Sequence, residues 1–268
     1  MTRTPTATRP LPPAFRRGAL LRGAILGLAL LACTAPVGTA QAASWSGFES
    51  VEGNGHITKQ SRELGHFTAL ATSVSGNVEV RLGDSESITI ETDDNIQPLI
   101  EATVENGTLR IRPQKKNQQF NTHTMKIVVQ ARTVERIAVG GAGSVDAARL
   151  HGEKLVFDIG GSGSIDAREV QGEEVAISLG GSGNFKVSGH VERLQVSIGG
   201  SGKVQAGQLA ARDVRISIGG SGQATVSAQQ TLNVSVAGSG DIGYYGNPQV
   251  SKTVMGSGAV KHLGGAPM

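Results

Sequence analysis

The sequence has little cysteine and few aromatic residues. Cys33 is the only cysteine among 268 residues, so we expect no disulfide, no redox pair and no metal–thiolate site in the folded part of the chain. Phe, Trp and Tyr together account for only 3% of the residues, which is too little for a ligand-binding core built on aromatic rings. The fold must therefore be held by backbone hydrogen bonds and aliphatic packing.

Long apolar runs are also missing. The most apolar stretch, the ten residues from Gly23 to Ala32, is too short to span a membrane but has the length of the apolar part of a signal peptide. It follows residues 1–22, which are basic and rich in proline. This order of segments is typical of an export signal.

A cleavage site follows the apolar stretch. Ala40 and Ala42 supply the small residues that signal peptidase requires at positions −3 and −1. We predict a signal peptide over residues 1–42, cleaved between Ala42 and Ala43. The protein is then exported, and is periplasmic or lies on the cell surface or outside the cell.

The same region allows a second interpretation. Leu30-Leu31-Ala32 precedes Cys33 at the end of the apolar stretch, as a lipobox does, which would make Cys33 the lipidated first residue of the mature chain. Leu31 is not the small residue usual at its place. Under this alternative the protein would be tethered to the membrane, and only through its lipid.

Acidic and basic side chains nearly balance once the leader is set aside. The whole chain has a net charge of +3, but the first 42 residues contain five arginines and no acid. The remaining residues carry 20 basic and 22 acidic side chains, a net charge of −2. We therefore expect no nucleic-acid partner and no electrostatic binding to an anionic membrane.

Glycine, in contrast, is abundant, with 38 residues, and much of it lies in a repeated tetrad, Gly-Ser-Gly-x or Gly-Ala-Gly-x. Successive tetrads begin 20, 20, 19, 20, 18 and 18 residues apart. The seven tetrads begin at Gly141, Gly161, Gly181, Gly200, Gly220, Gly238 and Gly256. A period near twenty residues predicts a repeat protein in which each repeat is one structural unit.

Apolar and polar residues alternate on both sides of most tetrads. Leu194, Val196 and Ile198 precede the tetrad at Gly200, and Val204 follows it. A period of two predicts strands with one buried face, and no run shows the 3.6-residue apolar stripe of a helix. Strand, glycine turn, strand and connector in 18–20 residues form one turn of an all-β, parallel β-helix or solenoid.

A single turn of this kind cannot be stable alone. Its few inward aliphatic side chains bury too little apolar surface to offset the entropy lost when about twenty residues are ordered. The turns must stack, which predicts a column of Ser182, Ser201 and Ser221 at the corners. Stacking also predicts a second, outward column that includes Ser197, and corner glycines such as Gly202 with positive φ.

The first part of the predicted domain is less regular. Residues 43–134 show strand patterns without the period, whereas residues 135–263 carry the repeats. Ser75-Gly76-Asn77 resembles a degenerate eighth tetrad, 67 residues before the first complete one, so we expect inserted hairpins in the early turns. Asn106-Gly107 predicts one hairpin turn. Since no linker separates the two parts, we interpret residues 43–268 as a single all-β domain.

Few residues indicate catalysis or metal binding, and we expect no metal and no cofactor. The six histidines are scattered without the spacing of a metal-ligand pair. Asp146 and Asp166 follow their tetrads much as in calcium-binding repeats, but later repeats have other residues there and the period differs. Asp93-Asp94 could be the carboxylate pair of a glycan-cleaving enzyme. Neighbours on a strand point to opposite faces, so we favour a structural turn with Asn95.

Several stretches taken in order are similar to a known family. They are Gly53-Asn54-Gly55, His66-Phe67-Thr68, Val74 to Val80, Glu91 to Ile96, Val104 to Leu109 and the Gly-Ser-Gly repeats. They resemble the head GIN domain of auto-transporter adhesins over about residues 48–263. The resemblance implies an exported, all-β, solenoid-like domain of the bacterial envelope, and it says more about fold and location than about mechanism.

Two main classes of function remain, and a third is weaker. We expect a non-catalytic, adhesin-like envelope or surface module whose Ser-, Asn- and Gln-rich sheet binds glycans or envelope proteins. The alternative is a polysaccharide-active β-helix enzyme, which would hold two or three carboxylates in a groove with aromatic walls. Aromatic rings are few, with Trp45 outside the repeats and Tyr244-Tyr245 near the end. An envelope-stress regulatory component is a third hypothesis.

The cleavage site can be tested directly. Because Ala40 and Ala42 meet the requirement of signal peptidase, the exported protein should begin at Ala43 and carry no lipid. N-terminal sequencing or intact-mass measurement of the exported protein checks this, and an acylated Cys33 as the first residue would establish the lipoprotein alternative instead.

Overall fold

The computed structural model describes residues 49–265, and within this range it holds strands, turns, a single 3₁₀ turn (Gln97–Leu99) and no α-helix. The predicted leader, with Cys33 and the cleavage site at Ala42 and Ala43, lies outside the described residues. The strands are β1 (Glu49–Glu52), β2 (Ile57–Glu63), β3 (Ala69–Thr72), β4 (Asn77–Leu82), β5 (Ser87–Asp93), β6 (Ile100–Glu105), β7 (Thr108–Pro113), β8 (Gln118–Asn121), β9 (Met125–Ala131), β10 (Arg136–Val139), β11 (Ser144–Ala148), β12 (His151–Ile159), β13 (Ser164–Leu179), β14 (Asn184–Ile198), β15 (Lys203–Ile218), β16 (Gln223–Gly238), β17 (Asp241–Tyr245), β18 (Gln249–Gly256) and β19 (Ala259–Gly264).

Most strands belong to two parallel sheets that run along the repeats. Sheet A contains the residues that precede each tetrad, in the order β7-β3-β10-β12-β13-β14-β15-β16-β18. Sheet B contains the residues that follow each tetrad, in the order β9-β4-β11-β13-β14-β15-β16-β17-β19. The all-β solenoid predicted from the repeat is confirmed.

Equivalent residues of successive turns are in register, so like side chains stack. In sheet A, Leu155 is paired with Val175 and Val175 with Leu194, and each of the three is at most 1% exposed. The rings of Phe157 in sheet A and Phe185 in sheet B are in contact, with centroids 5.0 Å apart. Neighbouring turns therefore share one continuous apolar core, which stabilises turns that could not fold singly.

The connectors between turns are strands, whereas the sequence predicted separate linking segments. β13, for example, runs without a break from sheet B into sheet A of the next turn. Connector residues such as Val170 and Leu209 are fully buried, so this third side is also part of the core. Register shifts between Ala167 and Val170, and at the matching place in the next turns, absorb the one- and two-residue differences in repeat length.

The glycine tetrads form the corners between sheets A and B, and successive corners lie on top of one another. The backbone N–H of Ser201 donates to the carbonyl oxygen of Gly181 at 3.2 Å, and that of Ser221 donates to Gly200 at 3.2 Å. This ladder places Ser201 between Ser182 and Ser221, as the repeat predicts.

The predicted conformation of the corner glycines is wrong for most of them. Gly202 does not have a positive φ, and of the described tetrad glycines only Gly238 (φ 142°) and Gly256 (φ 132°) do. Gly202 is needed for another reason: a Cβ atom there would lie 2.7 Å from the carbonyl oxygen of Gly183 in the preceding turn. Close approach of backbone to backbone selects glycine at this corner.

The early turns are interrupted by antiparallel strands, as predicted. β4 pairs with β11 so that Asn77 lies opposite Ser144, which makes Ser75-Gly76-Asn77 the corner of an earlier turn. Between these turns, β5 pairs antiparallel with β2 and β9. β6 forms a hairpin with β7 through Asn106 (φ 50°) and Gly107 (φ 70°). These inserted strands close the N-terminal end of the solenoid.

Two adjacent glycines test the explanation given for the corners. A Cβ atom at Gly200 would lie 2.3 Å from the carbonyl oxygen of Gly181, whereas at Gly199 the nearest atom would be 3.9 Å away. Gly200→Ala should therefore lower the free energy of unfolding by about 1–3 kcal/mol through overpacking. Gly199→Ala should change it by less than about 1 kcal/mol, and in the stabilising direction.

Urea denaturation of the two variants measures the difference. Gly199→Ala is the control for the general effect of adding a methyl group at a corner. Equal stabilities of the two variants would show that the corners are not in backbone contact.

Candidate functional site

The outer face of sheet B carries three shallow grooves in a row. The first, of about 610 Å³, lies over β4 and β11; the second, of about 520 Å³, crosses β11 to β15; the third, of about 480 Å³, lies over β14 to β17. Together we call them the B-face track. The charged, polar and aromatic side chains that line it are those of Glu79, Arg81, Asp146, Arg168, Asp166, Lys186, Lys203, Gln205, Gln208, Thr225 and Tyr245.

The first groove holds acidic side chains flanked by arginines. The register places Glu79 beside Asp146, and Asp146 beside Asp166. Arg81 Nε is 2.7 Å from Glu79 Oε1, and Arg168 Nε is 3.9 Å from Asp166 Oδ1. The hydrogen bond from Arg81 lowers the pKa of Glu79 below its usual value, so this carboxyl group stays ionised at neutral pH.

The acidic column ends at the next turn, where Lys186 stands opposite Asp166. Lys186 Nζ lies 4.0 Å from Asp166 Oδ2, a cation where a calcium ladder would need a further carboxylate. Across residues 49–265, no group of three His, Cys, Asp or Glu side chains is arranged to hold a metal ion.

The third groove combines lysine, amide and aromatic side chains. Lys203 and Gln205 are exposed, and Tyr245 is half-buried beside them. A Cβ atom at Gly207 would lie 3.1 Å from the Tyr245 ring, so the ring packs over this glycine. The register of β15 with β16 shifts after Ala206, so Gly207 stands in a bulge, and the ring of Tyr245 packs against it there.

The outer face of sheet A is more uniform. Ser178, Ser197, Ser217 and Ser235 are paired in consecutive turns and form the outward serine column that stacking predicts. A column of short hydroxyl side chains provides hydrogen-bonding groups without an aromatic surface beside them.

The Asp93-Asp94 pair lies apart from the track, in the inserted N-terminal strands. The Asp93 side chain is 0% exposed and accepts hydrogen bonds from the backbone N–H groups of Gly55 (2.6 Å) and His123 (3.1 Å). Asp94 accepts a hydrogen bond from the Asn54 side chain. The two aspartates therefore join three loops, in agreement with a structural role in a turn.

The same cluster explains why residue 53 is a glycine and why the Asp93 carboxyl group is ionised. A Cβ atom at Gly53 would lie 2.5 Å from the Asp93 carboxyl group, so only glycine allows the loop to close over it. Burial raises the pKa of Asp93, but the hydrogen bonds from Gly55 and from the backbone and ring of His123 outweigh it and hold the pKa below its usual value.

A protein-family model described as "Putative auto-transporter adhesin, head GIN domain" matches residues 66–248. The chain belongs to the head GIN domain family. The family expected from the ordered motifs is thus confirmed, and it is a family of adhesin-like, exported or surface proteins. A search of curated protein sequences finds no match for this head GIN domain.

Solved structures share the fold of this head GIN domain. A putative adhesin from Bacteroides fragilis NCTC 9343 is 24% identical with a TM-score of 0.74, over 80% of this chain and 100% of that one. A putative lipid binding protein from Parabacteroides distasonis ATCC 8503 is 23% identical (TM-score 0.66; 80% and 100%). A putative adhesin from Parabacteroides merdae ATCC 43184 is 20% identical (TM-score 0.63; 80% and 99%). At these identities the likeness is one of fold.

In the part of the head GIN domain that is described, no helix has the length and apolar character needed to cross a membrane.

Sequence reasoning recognised Asp146 and Asp166 as equivalent but missed Glu79 and the Tyr245 groove. Glu79 has the same offset from Gly76 as Asp146 has from Gly143, so alignment of the degenerate tetrad would have found it. Gly207 inside a strand pattern was a signal for a close approach. Its partner, 38 residues later in the chain, depends on a bulge that the repeat period does not reveal.

The Asp93 cluster predicts unequal effects for its two aspartates. Asp93→Asn should lower the stability of the head GIN domain more than Asp94→Asn, because the new amide group would turn N–H donors toward those of Gly55 and His123. Urea denaturation midpoints at neutral pH measure both variants. Equal midpoints would contradict a clamping role for Asp93.

A pH series provides the control for the charge of Asp93. Folding lowers the pKa of this group, so its contribution is present above the unfolded value of about 3.9 and is lost as the pH falls through the lower, folded value. The wild-type protein should lose more stability than Asp93→Asn below about pH 4. Parallel profiles would show that this carboxyl group makes no such contribution.

Proposed function

We propose that this head GIN domain is a non-catalytic module of the cell envelope or cell surface that binds glycans along the B-face track. Its family, described as that of an auto-transporter adhesin head domain, supports an adhesin-like role. The predicted signal peptide over residues 1–42 would deliver it to that location, where polysaccharides are available as ligands.

The Tyr245 groove is the observation that carries this proposal. A half-buried tyrosine ring offers an apolar face for the C–H side of a sugar, while its hydroxyl group remains polar. Gln205 and Gln208 beside it have amide groups that both donate to and accept from sugar hydroxyl groups. A rigid apolar surface with a few placed polar groups is the usual composition of a small-ligand site.

The charges beside the ring indicate which glycans fit best. Lys186 and Lys203 line the same groove as Tyr245, and both are exposed. Two ammonium groups beside a stacking surface favour sugars that carry carboxylate or sulfate groups. We therefore expect an acidic glycan to bind at this end of the track.

The length of the track favours a linear polymer. From β4 to β17 the sheet order spans six strand spacings, or about 29 Å at about 4.8 Å each. A single sugar ring would occupy only a part of this length. A chain of sugars lying across the strands would contact a new side chain at every turn.

The acidic groove argues for binding without cleavage. A glycosidase needs a carboxyl group with a raised pKa to protonate the leaving group. The pKa of Glu79 is lowered by its hydrogen bond with Arg81, the opposite direction. The residues that line this first groove also include no aromatic side chain, so an enzyme-like aromatic wall is not found there.

Glycan binding should depend on the ring and the amide of the third groove. Tyr245→Ala should weaken the binding of an acidic oligosaccharide by about 1 kcal/mol, or roughly fivefold in Kd, through loss of stacking. Gln205→Ala should also weaken it. A glycan array identifies the oligosaccharide, and titration calorimetry with the exported protein measures each Kd.

Gln195→Ala is the matched control, because Gln195 is exposed on the outer face of sheet A. It should leave the Kd unchanged. Binding that is lost with Gln195→Ala and kept with Tyr245→Ala would place the site on the other sheet. Release of shorter sugars from the bound glycan would establish the enzymatic alternative.

A further inference from the structure

The C-terminal turn is open on one side. β18 pairs with β16, and β19 pairs with β17. Within residues 49–265 neither strand has a neighbour on its other side, and every residue of β18 is exposed. An edge of this kind presents a row of backbone N–H and C=O groups that can pair with a further strand.

At this open edge, side chains on the core side of the sheet are exposed to solvent. Val250 is paired with Leu232 and Val254 with Val236. The two inner residues are 0% exposed, whereas Val250 is 39% and Val254 is 37% exposed. One more strand would cover these valines as each turn covers the one before it.

The opposite end of the solenoid is different. It is closed by β2 and β6, which run antiparallel to their neighbours. β6 carries Glu101 and Glu105 in ion pairs with Arg112, at 2.8 and 3.0 Å. β2 is likewise exposed on its free side, but it carries Lys59, Arg62 and Glu63. Antiparallel, charged edge strands of this type discourage further pairing.

The open edge is positively charged. From Gln249 to Gly265 the chain contains Lys252 and Lys261 and no acidic residue. Lys252 is paired with the buried Val234, so it lies on the core side of the sheet between the two exposed valines. Among residues 49–265 no acidic oxygen lies within ion-pair distance of it.

A second copy of the chain would not supply an acidic side chain to pair with Lys252. Two copies joined at this end by a two-fold axis would pair β18 and β19 antiparallel with those of the other copy, and neither strand contains an acidic residue. Head-to-tail stacking fails for a different reason: Glu101 and Glu105 of β6 pair with Arg112 on the outer side, whereas Lys252 lies on the core side. In each case Lys252 would be buried without a counter-ion.

The chain's own N-terminal segment is also too short if the leader is cleaved between Ala42 and Ala43. Residues 43–48 precede β1, which pairs with β8 in the inserted N-terminal part. Six residues extend over about 20 Å. The eight strand spacings from β9 to β19 amount to about 38 Å.

We propose that the C-terminal edge binds an extended segment of a partner protein by strand addition. The segment has apolar side chains at alternating positions, to cover Val250 and Val254, and an aspartate or glutamate between them opposite Lys252. Backbone pairing provides affinity, and the Lys252–carboxylate pair provides specificity. The same lysine prevents copies of the chain from stacking end to end.

A short labelled peptide containing Val-Thr-Glu-Thr-Val is the probe. Its side-chain order is the same in both directions, so it fits a parallel or an antiparallel strand. Fluorescence anisotropy with the exported protein should show binding, and a peptide with Lys in place of Glu should bind at least about tenfold more weakly. Amide hydrogen exchange should show protection in β18 on binding of the Glu peptide.

Charge reversal tests the assignment to Lys252. Lys252→Glu should invert the preference, so that the Lys peptide binds more tightly than the Glu peptide. Lys126→Glu is the control, because Lys126 is exposed on β9, a strand paired on both sides; it should leave the preference unchanged. Since both lysines are on the surface, circular dichroism should show folded variants.

Three results would overturn the proposal. They are equal affinities for the two peptides, no effect of Lys252→Glu, and self-association of the wild-type protein with protection of β18 in the absence of peptide. The last would assign the edge to a second copy of the chain. The glycan titration is independent, because the Tyr245 groove lies on the outer face and not at this edge.

Discussion

Close contact between successive glycine corners is the constraint on which the rest of this structure depends. At Gly200 the carbonyl oxygen of Gly181 occupies the space that a side chain would need. With the corners in contact, the strands on either side are held at the parallel spacing of about 4.8 Å. Residues one repeat apart then fall into register, and the apolar core, the serine column and the B-face track all follow from that register.

The register imposes different demands on the two sides of sheet B. Most inward positions are apolar, because each is packed between the turns above and below. Outward positions are free to change from turn to turn. One outward column has the order Glu79, Asp146, Asp166, Lys186, Gln205 and Thr225. The fold therefore presents one independently chosen functional group per turn, and acidic, basic and amide regions lie side by side on a common scaffold.

The sequence was informative wherever local pattern and period determine structure. The strands, the corner order, the eighth tetrad at Gly76 and the Asn106-Gly107 hairpin were all readable, because each depends on residues near in sequence or one repeat apart. The conformation of Gly202 was not, since glycine serves two purposes and the pattern does not distinguish a positive φ from a close backbone contact. The contacts of Asp93 with Gly55 and His123 join loops far apart in the chain, and no period relates them.

The unequal ends give the solenoid a polarity in its local stability. Each inner turn is supported from two sides, and the first turns are further tied by antiparallel strands and by the hydrogen bonds of Asp93. Within residues 49–265 the final turn, β18 and β19, has one supporting interface. In a repeat protein whose stability is a sum of turns and interfaces, that turn is the first to fray. A pulling force applied through the C-terminus thus acts on the least stable unit first, and we expect the solenoid to unfold one turn at a time. The same force applied at the N-terminal end acts on strands that must unfold together.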